Sequence, residues 1–409
     1  MRIVIVGAGA VGSYLAEKLA VEGQDVVVIE SDPERAAIAQ SEIDCLVING
    51  NGASAKTLKK AGLADADLLI AVSSSDAVNV LACAAGTQLG IERKVARVED
   101  PQLKAEVEAL GVDLVIDPGE AAARELFLLA SSGDIAERIE FADGALVLLG
   151  AYVDSRADFV GKTLADLRET IEGWDWLVVA VIRHGETIIA RGSTTLEPHD
   201  HVLMMARAES TDDAYTWLGL SSAPAEKVMV LGSTRLAKLT ARMLADHHIH
   251  TTLVEPDMDR CRIIAEELPG VVTVCGQPTD VKLLRSEGIE TTDTVMALTG
   301  WDSENVLAAM VAKSLGAREV IARFSNTDLV GLLAGVGIDA TVSSRLSAAN
   351  EILRFVRRGV IYSVVTFSDS DAEAIELEVG PSSPAIGKSL ADLKLPHSMI
   401  IGGVQRGAE

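Results

Sequence analysis

The chain repeats itself, and this limits its architecture more than any other feature. Residues 161–167 read Gly-Lys-Thr-Leu-Ala-Asp-Leu, and residues 387–393, which lie 226 positions later, read Gly-Lys-Ser-Leu-Ala-Asp-Leu. The same spacing relates Asn79-Val80-Leu81-Ala82 to Asn305-Val306-Leu307-Ala308, Gly50 to Gly276, Gly62 to Gly288, and Ala96-Arg97 to Ala322-Arg323. Nearer the start it becomes 225, pairing Gly7 with Gly232 and Glu30 with Glu255. One register held over so many positions means a tandem duplication. The small-residue run Ser221-Ser222-Ala223-Pro224-Ala225 reads as the linker between the copies.

Each copy has two parts. Over residues 1–133, short apolar strands near 3–6, 26–29, 45–48, 68–72, 94–98 and 114–116 alternate with helical patterns. Strict alternation of this kind predicts an α/β fold, a Rossmann-like, doubly wound parallel sheet with helices on both faces. Residues 134–220 change character: short strands near 145–153, 177–183, 187–190 and 201–206 surround the Gly-Lys-Thr-Leu-Ala-Asp-Leu helix. They predict a small α+β domain. By duplication, 221–358 is a second Rossmann-like domain and 359–409 a second small domain. The last is expected to be partial, because counterparts of strands 187–190 and 201–206 do not follow it. A sheet short of two strands exposes backbone edges.

The first strand runs into Gly7-Ala8-Gly9-Ala10-Val11-Gly12 and then a helix. In that setting Gly7 permits the tight turn, Gly9 lets backbone approach a pyrophosphate, and Gly12 allows close helix–strand packing. The amides at the start of the helix, including those of Ala10 and Val11, hold phosphate with the positive end of the helix dipole. Glu30 ends the second strand, placed to accept from a ribose diol and to repel a 2′-phosphate. That selects NAD(H) or another adenosine nucleotide over NADP. The second copy reads Gly232-Ser233-Thr234-Arg235-Leu236-Ala237, with a β-branched Thr234 where phosphate should lie. Glu255 still supplies the ribose acid, so this site is expected to be altered. Asn51, Ser73 and Arg97 stand at the carboxyl ends of strands, where ligands of such sheets bind, and are candidates for base, ribose and phosphate contacts.

Charge and residue inventory close off other classes. Sixty acidic against 36 basic residues leave a net charge of −24, the wrong sign for nucleic-acid binding or direct adsorption to anionic lipid. Cys45, Cys83, Cys261 and Cys275 show no C-x-x-C spacing and read as small buried hydrophobes. The chain opens directly on a strand and carries no apolar run of membrane-spanning length, so a cytoplasmic location is expected. The histidines lie at 184, 199, 201, 247, 248, 250 and 397, none of them in the first nucleotide domain. His199-Asp200-His201, placed before an edge strand, and the 247–250 group lack the companion ligands of a metal site, so no metal is expected. A soluble NAD-dependent oxidoreductase is the rival reading. It needs an acid–base group in the cleft and a second half unlike the first.

The tandem order, the Gly7–Gly12 loop with Glu30, and the segment from Val72-Ser73 through Asp76 to Asn79-Val80-Leu81-Ala82 resemble the RCK (KTN) family. The resemblance covers nearly the whole chain. It implies a non-enzymatic regulatory subunit that assembles as a homotetrameric gating ring beneath an integral membrane potassium transporter subunit (TrkH-like). NAD(H), ATP or ADP in the crevice would favour different ring shapes, through differential affinity for them. Gly50-Asn51 departs from the Gly-Asp often found there in the family.

Overall fold

The computed structural model describes residues 1–131, 137–153, 157–170, 175–183, 186–218, 225–325, 337–356, 361–367, 372–381 and 383–406. The boundaries drawn at 133, 220 and 358, linker residues 221–224 and His184 lie outside them.

Val, Ile and Leu fill the first strands because both faces of a parallel sheet are covered, and Ile3–Val6 and Leu68–Ala71 are all buried. The strands are β1 (Arg2–Val6), β2 (Asp25–Glu30), β3 (Leu46–Asn49), β4 (Leu68–Ala71), β5 (Arg93–Arg97) and β6 (Leu114–Ile116). They pair in the order β3-β2-β1-β4-β5-β6, all parallel. The order turns back at β1 and β4, which opens a crevice at their carboxyl ends. Helices α1 (Ala10–Val21), α2 (Pro33–Glu42), α3 (Ala55–Lys60), α4 (Asp76–Gln88) and α5 (Pro101–Ala109) make the crossovers.

The chain divides into two compact units, Met1–Ala122 with Ser344–Gly359, and Ala123–Ser343 with Val360–Glu409. In the first unit, Val4, Val27 and Leu69 pack with Leu58, Ala82 and Val107 on one face of the sheet. On the other face Ile3, Val28 and Ile70 pack with Leu15 and Leu19 of α1 and with Ala348, Ala349 and Ile352. The last three belong to the helix Ser344–Val356, which comes from the far end of the second copy.

The second unit holds an antiparallel sheet of β7 (Glu137–Phe141), β8 (Leu146–Tyr152), β9 (Trp176–Arg183), β10 (Glu186–Ile189) and β11 (His201–Arg207), ordered β10-β9-β11-β8-β7. β7 is an addition to the strands read from sequence. β11, expected at an edge, is interior and pairs with both β9 and β8. Its alternating Val202 and Met204 face the core with Leu164 and Leu167 of the helix Leu164–Thr170, while Leu203 faces a second cluster with Phe367 and Ile400. Apolar residues on both faces favour an interior strand.

β12 (Lys227–Leu231), β13 (His250–Glu255), β14 (Val272–Cys275), β15 (Thr294–Ala297), β16 (Glu319–Arg323) and β17 (Ala340–Val342) repeat the first sheet's order as β14-β13-β12-β15-β16-β17. The final segment pairs β18 (Ile361–Thr366) with β19 (Glu373–Leu377). Here Gly-Lys-Ser-Leu-Ala-Asp-Leu makes only a 3-10 turn, Leu390–Asp392, with Leu390 exposed, whereas its counterpart Leu164 is buried. The reason is cover. Leu164 packs with Leu196, Val202 and Met204, whereas Leu390 is 54% exposed. A short amphipathic helix gains its stability from packing.

Two cysteine readings need correcting. Cys83 and Cys261 are buried, but Cys45 and Cys275 are only partly so. Cys45 precedes β3 and Cys275 ends β14, and these are the edge strands of their sheets, covered less completely than the centre.

Candidate nucleotide crevice

The three glycines of the first loop are needed for three different reasons. Gly7 has φ +105°, and a Cβ there would lie 2.8 Å from the Ser73 Cα. A Cβ at Gly12 would lie 1.9 Å from the Gly7 carbonyl oxygen. A Cβ at Gly9 would meet nothing within 4 Å, so that position faces open space. Gly9 also precedes α1 as its N-cap, and no side chain caps that turn. The first turn, Ala10, Val11 and Gly12, thus begins at an uncapped positive helix end beside an open approach, the geometry that holds phosphate.

Glu30 closes the other side. Its Oε2 accepts from the Ala8 amide at 2.7 Å, and its Oε1 from the Asp32 amide at 2.9 Å and the Ser31 hydroxyl at 3.2 Å. Burial raises its pKa, but the hydrogen bonds from Asp32, Ala8 and Ser31 together outweigh burial and hold it below the ordinary carboxylate value. The depressed pKa fixes the sign of a pH effect. Stability from the ionised group is complete above the unfolded-state pKa and is lost as pH falls through the lower folded-state value. Glu30→Gln should therefore flatten the acid limb of a stability-against-pH curve. An unchanged acid limb would show that the loop does not depend on this charge.

The remaining candidates are held by local bonds. Asn51 is exposed and makes a turn, its Oδ1 accepting from the Ala53 amide at 2.8 Å. The Ser73 hydroxyl and amide both donate to Asn79 Oδ1, at 2.8 and 2.9 Å. The Arg97 guanidinium pairs with Glu99. Asn79, fully buried, was not singled out from the sequence as a positioning residue. Its Nδ2 donates to the carbonyls of Ser73 at 3.0 Å and Arg97 at 2.9 Å, tying the ends of β4 and β5 together. The signal was present, since Asn79 opens one of the repeated segments. Asn305 does the same between Thr299 and Arg323.

Glu255 belongs to the second unit, at the corresponding place in its own sheet. It is buried, with Oε1 accepting from the Asp257 amide at 2.9 Å. Gly232 repeats the φ of +105°. Thr234 turns its hydroxyl inward, donating to the Leu298 carbonyl at 2.8 Å and accepting from the Ala237 amide at 3.2 Å. The second helix start is thus capped by its own chain where the first is left uncapped.

Among the described residues, Tyr14, Lys18, His201 and His247, groups of the kind an oxidoreductase uses, make other contacts. Tyr14 and Lys18 have Tyr-x-x-x-Lys spacing on α1, but the Lys18 ammonium lies 5.8 Å above the Tyr14 ring. Tyr14 itself packs in the core shared with the helix Ser344–Val356. His201 is buried and stacks on Tyr152 at 4.6 Å, and His247 Nδ1 bonds the Met243 carbonyl at 2.8 Å at a helix end. Among the described residues no group of His, Cys, Asp and Glu is arranged to hold a metal ion. None of the described helices is long and apolar enough to cross a membrane.

The TrkA-N domain family matches residues 3–118 and again 228–344, and the TrkA-C domain family matches 148–219. A Trk system potassium uptake protein TrkA homolog of Archaeoglobus fulgidus is 33% identical over 414 residues, 100% of this chain and 92% of the relative. TrkA of Vibrio alginolyticus is 31% identical over 419 residues, covering 100% and 91%. Among solved structures, the GsuK channel bound to NAD superposes with a TM-score of 0.62 at 20% identity, over 87% of this chain. The chain spans 63% of that channel's length. GsuK bound to ADP gives 0.56 at 16% identity, over 87% of this chain and 69% of that one. The human SLO3 gating ring gives 0.52 at 9% identity, over 87% and 83%. Two TrkA-N matches, a TrkA-C match and full-length relatives above 30% identity place the chain in a family: it belongs to the TrkA family of Trk system potassium uptake proteins.

Proposed function

We propose that this chain is a cytoplasmic, nucleotide-sensing regulatory subunit, not an enzyme, that controls potassium uptake through an integral membrane partner of the TrkH-like kind. In this reading residues 1–133 and 221–358 are the nucleotide-type domains, and 134–220 and 359–409 the small ones. Four chains form a ring at the inner face of the membrane. NAD(H), ATP or ADP occupies the first crevice, with phosphates on the Gly7–Gly12 loop and the ribose on Glu30. Asn51, Ser73 and Arg97 contact base, ribose and phosphate respectively, and Glu255 is the remnant acid of the second crevice. A ligand moves the ring only by as much as its affinities for two ring shapes differ.

The observation that carries the reading is the open approach at Gly9 beside an uncapped helix start. The acidic surface argues for protein–protein rather than lipid contact at the membrane. Calorimetric titration with NADH, NAD, ATP and ADP tests it. One site per chain, with affinities that differ among the four, is expected. Two sites would mean that Thr234 tolerates phosphate, and no binding by any of the four would remove the sensor.

A further inference from the structure

Cys261 and Cys275 stand together beside the second crevice. Cys275 ends β14, opposite Glu255 in the ladder. Side chains alternate along a strand. Val274 packs into the core with Leu283 and Val306, so Cys275 points to the other face, against the helix Met258–Glu267 that carries Cys261. The Cys261 thiol donates to the Glu255 carbonyl at 3.2 Å. That same oxygen accepts from the amide of Gly276, the residue after Cys275, at 3.0 Å. Two donors converging on one oxygen bring the Cys261 sulfur to the end of β14. Burial and the adjacent Cys275 thiol push the Cys261 thiol up to about 12, so it rests as a thiol. Cys275 keeps partial exposure and Cys261 is covered.

The first copy lacks this pair. Its corresponding residues are Asn49, whose amide donates to the Glu30 carbonyl at 3.0 Å, and Ala36. The thiols are therefore a feature of the second copy alone.

We infer that Cys261 and Cys275 are a redox modification site, closing to a reversible disulfide at the edge of the second crevice with a peroxide as oxidant. Cys275, the accessible sulfur, attacks the O–O bond as thiolate, leaving a sulfenic acid and a hydroxide that takes up a proton. The Cys261 sulfur then displaces the sulfenic oxygen as water, giving up its own proton. Two thiols and one hydrogen peroxide become one disulfide and two waters, and the two electrons lost by sulfur reduce the O–O bond. The new bond fastens the helix Met258–Glu267 to the edge strand and removes the thiol donor from the Glu255 carbonyl. The inference does not depend on nucleotide binding.

The test is treatment of the whole purified chain with hydrogen peroxide, alkylation, digestion without reductant and mass spectrometry. The expected product is a linked pair of peptides carrying Cys261 and Cys275, reopened by dithiothreitol, with buried Cys83 unmodified. Cys275→Ser should abolish the link. Cys261→Ser keeps a hydroxyl donor for the Glu255 carbonyl, so the reduced variant should melt like the native chain. In it Cys275 should be trapped by dimedone as a sulfenic acid. The inference is overturned if peroxide links separate chains instead, or carries Cys275 to sulfinic acid while Cys261 remains alkylatable.

Discussion

Gly9→Val is expected to abolish the nucleotide binding proposed for the first crevice while leaving the fold intact. A valine Cβ at position 9 meets no protein atom within 4 Å, so the folded chain accommodates it. Its backbone is extended, with φ −76° and ψ −173°, which valine adopts without strain. The methyl groups would instead occupy the space through which, in the proposed binding mode, a pyrophosphate would reach the start of α1. Excluding phosphate from those amides should weaken binding by at least about 100-fold, roughly 2.7 kcal/mol. The melting temperature should match the native chain's, because surface substitutions away from packed features stay within about 0.5 kcal/mol. Gly12→Val is the contrasting case, with its Cβ driven to 1.9 Å from the Gly7 carbonyl oxygen. Overpacking there should cost about 3 kcal/mol of stability. Titration calorimetry and thermal melts on the two variants separate these effects. Native affinity in Gly9→Val would sink the assignment of the loop.

Asn79→Ala should destabilise the first unit by about 3 kcal/mol, since it removes a fully buried partner from several backbone groups at once. The Ser73 amide loses its acceptor, and the Ser73 and Arg97 carbonyls lose their donor. Each orphaned buried group costs about 1–3 kcal/mol, partly offset where water enters. Ser73 and Arg97 flank the crevice, so nucleotide affinity should fall as well even though Asn79 need not touch the ligand. Urea unfolding followed by a probe in residues 1–122 measures the loss. Asn305→Ala should produce the same loss in the second unit while leaving the first crevice's affinity unchanged. If Asn79→Ala unfolds at the native midpoint, the bonds between β4 and β5 do not depend on this side chain.

Much of the fold was legible before any coordinates because it is written in local periods. Continuous apolar runs at 3–6, 26–29 and 68–72 separated by helical patterns specify buried parallel strands, and the structure places β1, β2 and β4 there. The glycine loop was legible for the same reason, since Gly7 and Gly12 each answer a steric demand from a few residues away or from the adjoining strand, while Gly9 leaves its approach open. Cover from afar was not. The Gly-Lys-Thr-Leu-Ala-Asp-Leu repeat reads as helix in both copies. In the first copy Leu164 packs with Leu196, Val202 and Met204 and the segment winds as a helix, whereas in the second Leu390 is exposed and the segment makes only a 3-10 turn.

The sequence by itself determined that this is a duplicated chain, that each half opens with a doubly wound parallel sheet, and that only the first loop keeps its approach glycine; the strand order came from the structure. Only the tertiary structure decided which side chains close each crevice. It turned the Thr234 hydroxyl onto Leu298, set Asn79 between two strand ends, and brought the helix Ser344–Val356 onto α1. The physical reason is range. Periodicity encodes which face of an element is apolar, but hydrogen-bond direction and the choice of partner for that face are set by residues that lie tens to hundreds of positions away in the chain.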